Sequence, residues 1–312
     1  MKKYSKVLSL ALAFVMLFAL CACGAAETPA AESTAAPAAD APASEAPAET
    51  EAPAESQGVL DQIKADGVLY VTLSPDFAPM EFVDSSKDGQ EQYVGFDVTL
   101  AKYIANYIGV DLVIEPMSFD ACQTAVYTGS VPMSISGYSW TEERSENYEI
   151  SDYYYAGDNE TEQVILIKKT DADKYASAED FSGVDVGAQN ASLQMNLLTS
   201  QLPDANPITI GDLGVGVLEL QNGSIEALAV AKGNAEMILG SNPDLMICSW
   251  EFEVAAEYEA NVILITKGET ALLNVVNEAL AKAYADGLYG TWYEDAVALA
   301  KSENAAEVSV ED

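Results

Sequence analysis

The chain has 312 residues, and its 50 acidic residues outnumber 14 basic ones to give a formal net charge of −36. This balance argues against nucleic-acid binding, which needs basic surface to displace counterions, and against a basic patch for anionic lipid. The chain has no histidine, which excludes Ser-His-Asp and Cys-His catalysis and histidine-ligated zinc. The glycine motifs of common phosphate-binding loops are also missing. We therefore predict no cofactor, no metal site and no catalytic residue.

The first 24 residues have the features of a bacterial secretion signal. Three lysines at positions 2, 3 and 6 precede an apolar stretch from Val7 to Leu20. This stretch is short for a membrane-spanning helix, so a signal peptide is favoured over an uncleaved span. Leu20 to Cys23 resembles the lipobox of bacterial lipoproteins, which implies removal of residues 1–22 and lipidation of Cys23.

Residues 25–57 consist mainly of Ala, Pro, Glu, Ser and Thr, without an aromatic or basic residue. Nothing in this segment can bury a core, so residues 23–57 are predicted to be a lipid anchor followed by a disordered spacer. The remaining cysteines, Cys122 and Cys248, lie far apart in apolar surroundings. Buried free thiols are the simplest interpretation, and a disulfide between them stays open.

The globular part begins at Gly58, where strand-like runs and helical patterns start to alternate. The first alternation comprises, in order, a strand at Val68–Thr72, a helix over 96–108, a strand at Asp111–Glu115, a helix at Phe119–Tyr127 and a strand at Val131–Ile135. In the first of these helices Phe96, Leu100 and Ile104 recur at helical spacing before Gly109. The βαβαβ order predicts a parallel sheet covered by helices.

A second alternation follows Tyr155. Its predicted strands are Val164–Lys168, Val184–Ala188, Ile208–Ile210, Ile225–Val230, Leu245–Cys248 and Val262–Thr266, and its helices are Ser192–Gln201, Leu213–Leu220, Lys232–Leu239, Thr270–Ala285 and Tyr289–Leu299. The predicted fold is therefore α/β, with two lobes joined by two extended crossings. We assign residues 58–155 and 256–312 to lobe 1 and residues 156–255 to lobe 2. Ligands of open α/β sheets bind beyond the strand ends, so the site is expected in the cleft between the lobes.

Short stretches in the same order along the globular part resemble a known family. They are Leu73–Phe82, Val94–Leu100, Pro116–Phe119, Ser136–Arg144, Ile150–Tyr155 and Gly223–Ala227, followed by Asp286-Gly287 ahead of Trp292. Together they resemble type II periplasmic solute-binding proteins of polar amino acid ABC transporters. The resemblance implies a monomeric, extracytoplasmic lipoprotein, anchored to the bacterial cell membrane, that binds a small carboxylate such as an amino acid for an ABC permease.

Arg144 is the only arginine in the chain. By resemblance it occupies the position that grips the ligand's carboxylate, and a planar guanidinium suits a carboxylate better than an ammonium does. The alternative is a surface salt bridge with one of the glutamates at positions 142, 143 and 146. By resemblance too, Ser139 would assist with its hydroxyl and Gly137 with its carbonyl.

The other candidate ligand-binding residues come from the same comparison. Phe77 and Phe119 match two aromatics that sandwich the ligand, with core packing as the alternative. Ser192 and Gln194 lie in the second-lobe turn, where Ser192 could be only an N-cap. Ser74 stands where binders of basic amino acids carry an acid, which argues against lysine-like or arginine-like ligands.

The acid that holds the ligand's α-ammonium in many relatives falls on Ala231 in this chain. Either another acid does this work or the ligand has no α-ammonium. Two further functions also stay open, a dehydratase-like enzyme acting on cyclic carboxylates and a ligand-sensing surface protein.

Overall fold

The computed structural model describes residues 58–155, 162–258 and 260–302, together with the backbone of 305–306. The predicted signal peptide, lipidated cysteine and spacer lie outside the described residues. Within the described part, no helix is long and apolar enough to cross a membrane.

The secondary structure of the described residues alternates between strands and helices from Val59 onward. The strands are β1 (Val68–Leu73), β2 (Asp76–Phe77), β3 (Glu81–Asp84), β4 (Tyr93–Val94), β5 (Asp111–Pro116), β6 (Met133–Ser139), β7 (Glu149–Ile150), β8 (Gln163–Lys168), β9 (Asp185–Gln189), β10 (Asn206–Ile210), β11 (Ala227–Ala231), β12 (Leu245–Glu251), β13 (Asn261–Ile265) and β14 (Ala305–Ala306). The helices are α1 (Val59–Asp66), α2 (Phe96–Ile108), α3 (Phe119–Tyr127), α4 (Glu142–Asn147), α5 (Leu193–Gln201), α6 (Leu213–Asn222), α7 (Lys232–Ser241), α8 (Thr270–Ala285) and α9 (Leu288–Ala300).

The first lobe is built on a five-stranded sheet with the order β5-β1-β6-β13-β7. The predicted parallel pairing is right for β1 with β5 and β6. Strand β13, for which the sequence predicted no pairing direction, runs antiparallel to β6 and β7. A helical crossover makes two strands parallel, but β13 follows the chain's return from the other sheet and has no such connection to β6.

The second lobe has its own five-stranded sheet, with the order β10-β9-β11-β8-β12. Strand β9 is parallel to β10 and β11, whereas β8 is antiparallel to β11 and β12. The chain passes between the sheets twice, before β8 and after β12. The two passages touch where the Tyr154 N–H donates to the Asn261 carbonyl at 2.9 Å. The predicted fold class, α/β with two lobes, is confirmed, whereas residues 156–161 of the first predicted crossing lie outside the described residues.

Helix α2 shows why the apolar spacing predicted a helix correctly. Phe96, Leu100 and Ile104 are fully buried in the first lobe's core, and Gly109 ends the helix in the left-handed region at φ 89°. The third predicted strand, Val131–Ile135, is wrong at both ends, because β6 begins at Met133 and continues to Ser139. Its polar residues pair with β13 in the middle of the sheet, so their polarity hid the strand.

Both described cysteines are free and buried, as predicted. Cys122 lies in the first lobe against Thr72, with 3.0 Å between sulfur and hydroxyl, and Cys248 lies in the core of the second lobe. Burial raises the pKa of Cys122 to about 12 and that of Cys248 to about 11. Neither thiol is therefore a nucleophile at neutral pH.

Candidate functional site

A cavity lies between the two lobes, at the strand ends where the fold class predicts a ligand site. Its lining residues are Asp76, Phe77, Phe119, Ser136, Gly137, Ser139 and Arg144 from lobe 1, and Gln189, Leu193, Gln194, Leu213, Ala229, Val230 and Ala231 from lobe 2. The cavity volume is only about 30 Å³, room for one or two water molecules. The two lobes therefore lie close together around this cavity.

Arg144 lies at the start of α4, where the Thr141 hydroxyl caps the helix by accepting from the Arg144 N–H at 3.1 Å. Its side chain turns inward, and the residue is only 5% exposed. One guanidinium N–H donates to the Ser139 carbonyl at 2.6 Å, and another donates to the Ala191 carbonyl of lobe 2 at 3.0 Å. The alternative of a surface salt bridge is wrong, because Arg144 forms no ion pair with any described residue.

The surroundings of Arg144 are aromatic and amide groups. The guanidinium carbon lies 5.1 Å from the centre of the Tyr138 ring and 5.8 Å from that of Phe119, within the range of cation–π attraction. Its Nε–H donates to the Gln123 side-chain oxygen at 3.3 Å. Burial lowers the pKa of Arg144 from its ordinary value. A buried cation without a counter-ion is costly, and a ligand carboxylate would offset that cost.

Asp76 is the acidic residue of the lining and is 1% exposed. Its Oδ1 accepts from the Ser74 hydroxyl at 2.8 Å. Its Oδ2 accepts from two groups of lobe 2, the Gln189 side-chain amide at 2.8 Å and the Leu213 N–H at 2.9 Å. Burial raises the pKa of Asp76 to about 7, although the hydrogen bonds from the Leu213 N–H and the Ser74 hydroxyl act in the opposite direction. Asp76 belongs to lobe 1, and its hydrogen bonds to Gln189 and Leu213 connect it to lobe 2.

Behind the lining lies a pair of buried acids, Glu81 and Asp97. Glu81 accepts from the Ser136 hydroxyl at 2.6 Å, and Asp97 accepts from the Gly137 N–H at 2.8 Å. The second oxygen of each carboxyl group, Glu81 Oε2 and Asp97 Oδ1, is buried without a hydrogen-bond partner among the described residues. Burial raises the pKa of Glu81 well above its ordinary value, and the neighbouring Asp97 raises it further. Glu81 and Asp97 thus support the cavity wall, because Ser136 and Gly137, to which they hydrogen bond, line the cavity.

Comparison with known proteins supplies the family. The model of the bacterial extracellular solute-binding proteins, family 3, matches residues 69–296. The chain belongs to this family.

Three relatives of this solute-binding protein illustrate the similarity. A probable histidine-binding protein of Campylobacter jejuni is 26% identical over 72% of the chain and 82% of the relative. The structure of an amino acid ABC transporter substrate-binding protein, AbpA of Streptococcus pneumoniae, bound to L-arginine, is 32% identical with a TM-score of 0.71, over 78% of this chain and 100% of that one. An ancestral amino acid-binding protein, a precursor of cyclohexadienyl dehydratase, is 30% identical with a TM-score of 0.65, over 76% and 98%.

The structure of this solute-binding protein brings six of the eight predicted ligand-binding residues to the cavity. They are Arg144, Ser139, Gly137, Phe77, Phe119 and Gln194. Ser192 is not in the lining and caps α5, its hydroxyl accepting from the Met195 N–H at 3.1 Å. Ser74 is also outside the lining and donates to Asp76. Ala231 lines the cavity at the end of β11.

Sequence reasoning missed Asp76 and Gln189 as lining residues. Asp76 lies inside the stretch Leu73–Phe82 that pointed to the family, next to Phe77. The available signal was that this acidic residue directly precedes Phe77, an aromatic residue already predicted to bind the ligand. Gln189 is the first residue of the second-lobe turn that matches the family, and its place in that turn was the available signal.

Gly137 is required by the ring of Phe77. The backbone of Gly137 lies in the left-handed region at φ 57°, and a Cβ there would stand 2.8 Å from Cε1 of Phe77. Phe77 cannot yield easily, because it packs against apolar cores of both lobes. We expect Gly137→Ala to lower the free energy of unfolding by about 2–4 kcal/mol, combining backbone strain with overpacking, and to weaken ligand binding. Thermal unfolding and calorimetry measure the two effects.

Gly89→Ala is the matched control, because Gly89 has φ 60° and open space where a Cβ would stand. This substitution introduces the same backbone strain but no contact with a neighbouring side chain. Equal destabilisation by the two substitutions would show that the Phe77 contact has no energetic weight.

Proposed function

We propose that the protein is the lipid-anchored, extracytoplasmic binding subunit of an ABC importer, and that as a monomer it delivers an amino acid to a membrane permease. The observation that carries the proposal is Arg144, a buried guanidinium that lines the cavity between the lobes without a carboxylate partner in the described part of the chain. Charged acceptors form stronger hydrogen bonds with guanidinium than carbonyls do. A ligand carboxylate would therefore displace the carbonyls of Ser139 and Ala191.

The binding step follows from the division into lobes. We take residues 58–155 with 256–312 as one body and residues 156–255 as the other. Opening would break the bond from Arg144 to Ala191 and the bonds from Gln189 and Leu213 to Asp76. A ligand bound to Arg144 would then be enclosed when the lobes close again, as a shift between two states.

The relatives support an amino acid as the ligand. Their names record binding of histidine and of L-cystine, and a solved structure holds L-arginine. An amino acid carries the carboxylate that Arg144 calls for. The amino acids named for these relatives differ in their side chains. The names therefore support an amino acid as the ligand but do not favour a particular one.

A thermal-shift screen of the twenty common amino acids and of simple carboxylic acids tests the proposal. Ligand at one hundred times its Kd adds about 2.7 kcal/mol to the free energy of unfolding, so a binder raises the melting temperature visibly. We expect at least one amino acid to do so, and its carboxamide to fail. If no amino acid shifts the melting temperature at 10 mM, the proposal is wrong.

An enzyme on the same scaffold is the second candidate, favoured by the similarity to the ancestral precursor of a dehydratase. We infer that this protein performs no chemistry. Its buried acid pair, Glu81 and Asp97, lies behind the cavity wall and outside the lining. Incubation with cyclic carboxylates that can lose water should give no product. If the wild-type protein turns over such a substrate and Arg144→Ala abolishes this activity, the protein is an enzyme and the transport proposal is wrong.

The lipid anchor makes a separate prediction. Cys23→Ala should release the protein from membranes or block its processing, because the acyl chains supply the attachment. Fractionation of cells, followed by mass measurement of the protein, tests this. Cys21→Ala is the matched control and should leave attachment unchanged. A Cys23→Ala protein that stays in the membrane fraction at its mature mass would contradict the anchor.

A further inference from the structure

The cavity lining contains one cation and one anion. Arg144 is its only basic residue and Asp76 its only acidic one, and all other lining residues described above are uncharged. A closed cavity excludes water, so the charges of a bound ligand must be balanced by the protein. Arg144 can therefore balance one negative charge on the ligand, and Asp76 can balance one positive charge.

Asp76 is buried without a cation beside it. It has no salt bridge among the described residues, and its hydrogen bonds come from a hydroxyl, a side-chain amide and a backbone N–H. One of these donors is replaceable. The Gln189 side chain lines the cavity itself, so its amide can rotate away and leave Oδ2 to an ammonium group. Such an exchange substitutes a charged donor for a neutral one and is favourable.

We propose that Asp76 binds the ammonium group of the ligand, and that the ligand is an amino acid of net charge zero with an uncharged side chain. The inference rests on the proposed function, because it assumes that Arg144 holds the carboxylate. It assigns to lobe 1 the acid that the end of β11 lacks, since Ala231 stands there. The raised pKa of Asp76 agrees with it, because a buried carboxyl without a cation favours the neutral form.

A basic side chain would bring a second positive charge that the lining does not balance. The nearby acids are already engaged or lie elsewhere. Glu81 and Asp97 lie outside the lining and accept hydrogen bonds from Ser136 and Gly137, and Asp212 caps α6 by accepting from the Val215 N–H at 3.0 Å. Glu143 is exposed and lines a different cavity on the other side of Arg144. The remaining polar groups of the lining, including Gln189 and Gln194, suit an uncharged side chain.

Calorimetry on the wild-type protein and two variants tests the inference. In the wild type we expect amino acids with uncharged side chains to bind at least tenfold more tightly than L-arginine and L-lysine. We further expect the best of them to lose at least 30-fold in affinity when its ammonium is replaced by hydrogen. Asp76→Asn should weaken the amino acid about 30-fold or more, and change the deaminated analogue less than threefold. Asp111→Asn makes the same change at an exposed position outside the lining, and this matched control should leave both affinities unchanged.

The outcomes separate the inference from the proposed function. If no amino acid binds the wild type, the proposed function fails. Should L-arginine or L-lysine bind best, amino-acid binding stands and the uncharged ligand is wrong. If Asp76→Asn weakens the amino acid and its deaminated analogue equally, Asp76 only joins the lobes and does not bind the ammonium. The wild-type comparison of the amino acid with its deaminated analogue decides the matter even if Asp76→Asn does not fold.

Discussion

Arg144→Ala will abolish measurable binding of the amino acid found by the screen, while the protein remains folded. Removing one partner of a buried charge pair costs about 2–5 kcal/mol, because the other charge is left without a partner. This corresponds to a loss of roughly 30- to 5,000-fold in affinity at 1.4 kcal/mol per factor of ten. The fold should tolerate the change, because the free guanidinium is itself costly to bury. Calorimetry gives the affinity, and circular dichroism with thermal unfolding shows that the variant is folded.

Two further variants define what the arginine contributes. Arg144→Lys should recover only part of the affinity, because an ammonium cannot donate two parallel hydrogen bonds to one carboxylate. Lys267→Ala removes the same charge from the same region, where the lysine donates to the Ser145 and Tyr148 carbonyls outside the cavity, and should leave affinity unchanged. Near-normal affinity in Arg144→Ala would remove the carboxylate assignment.

The sequence was informative where one residue type had one plausible use. A sole arginine in a chain with 50 acids drew attention to Arg144, and the structure places it in the cavity. Helix α2 was readable because its buried face repeats at helical spacing and a glycine ends it. In both cases local chemistry and global position agree.

The sequence failed where tertiary contacts override local pattern. Sequence reasoning assigned no role to Asp76, whose hydrogen bonds to Gln189 and Leu213 come from the other lobe. Helix α4 consists of six polar residues and has no apolar periodicity, yet it carries Arg144. Strand β6 continues through a Ser-Gly-Tyr-Ser run because β13, more than a hundred residues later, supplies its partner.

The buried acids predict an unusual dependence of stability on pH. Burial raises the pKa of Asp97 to about 7 and that of Glu81 well above its ordinary value, whereas both groups titrate near pH 4 in an unfolded chain. Between these values the folded protein binds more protons than the unfolded chain. Its free energy of unfolding should therefore fall as pH rises from about 4 to about 7, by about 1.4 kcal/mol per pH unit for each retained proton.

Asp97→Asn isolates this effect. The amide keeps an oxygen for the Gly137 N–H and the Tyr154 hydroxyl, which donate to Asp97 Oδ2 at 2.8 and 3.0 Å. Removing one titrating group should flatten the decline between pH 5 and 7 by about 1.4 kcal/mol per pH unit. Urea unfolding at pH 5, 6 and 7 measures the slope in the wild type and the variant. Asp111→Asn changes the same group at an exposed position and should keep the wild-type slope. An unchanged slope in Asp97→Asn would mean that Asp97 is ionised throughout this range.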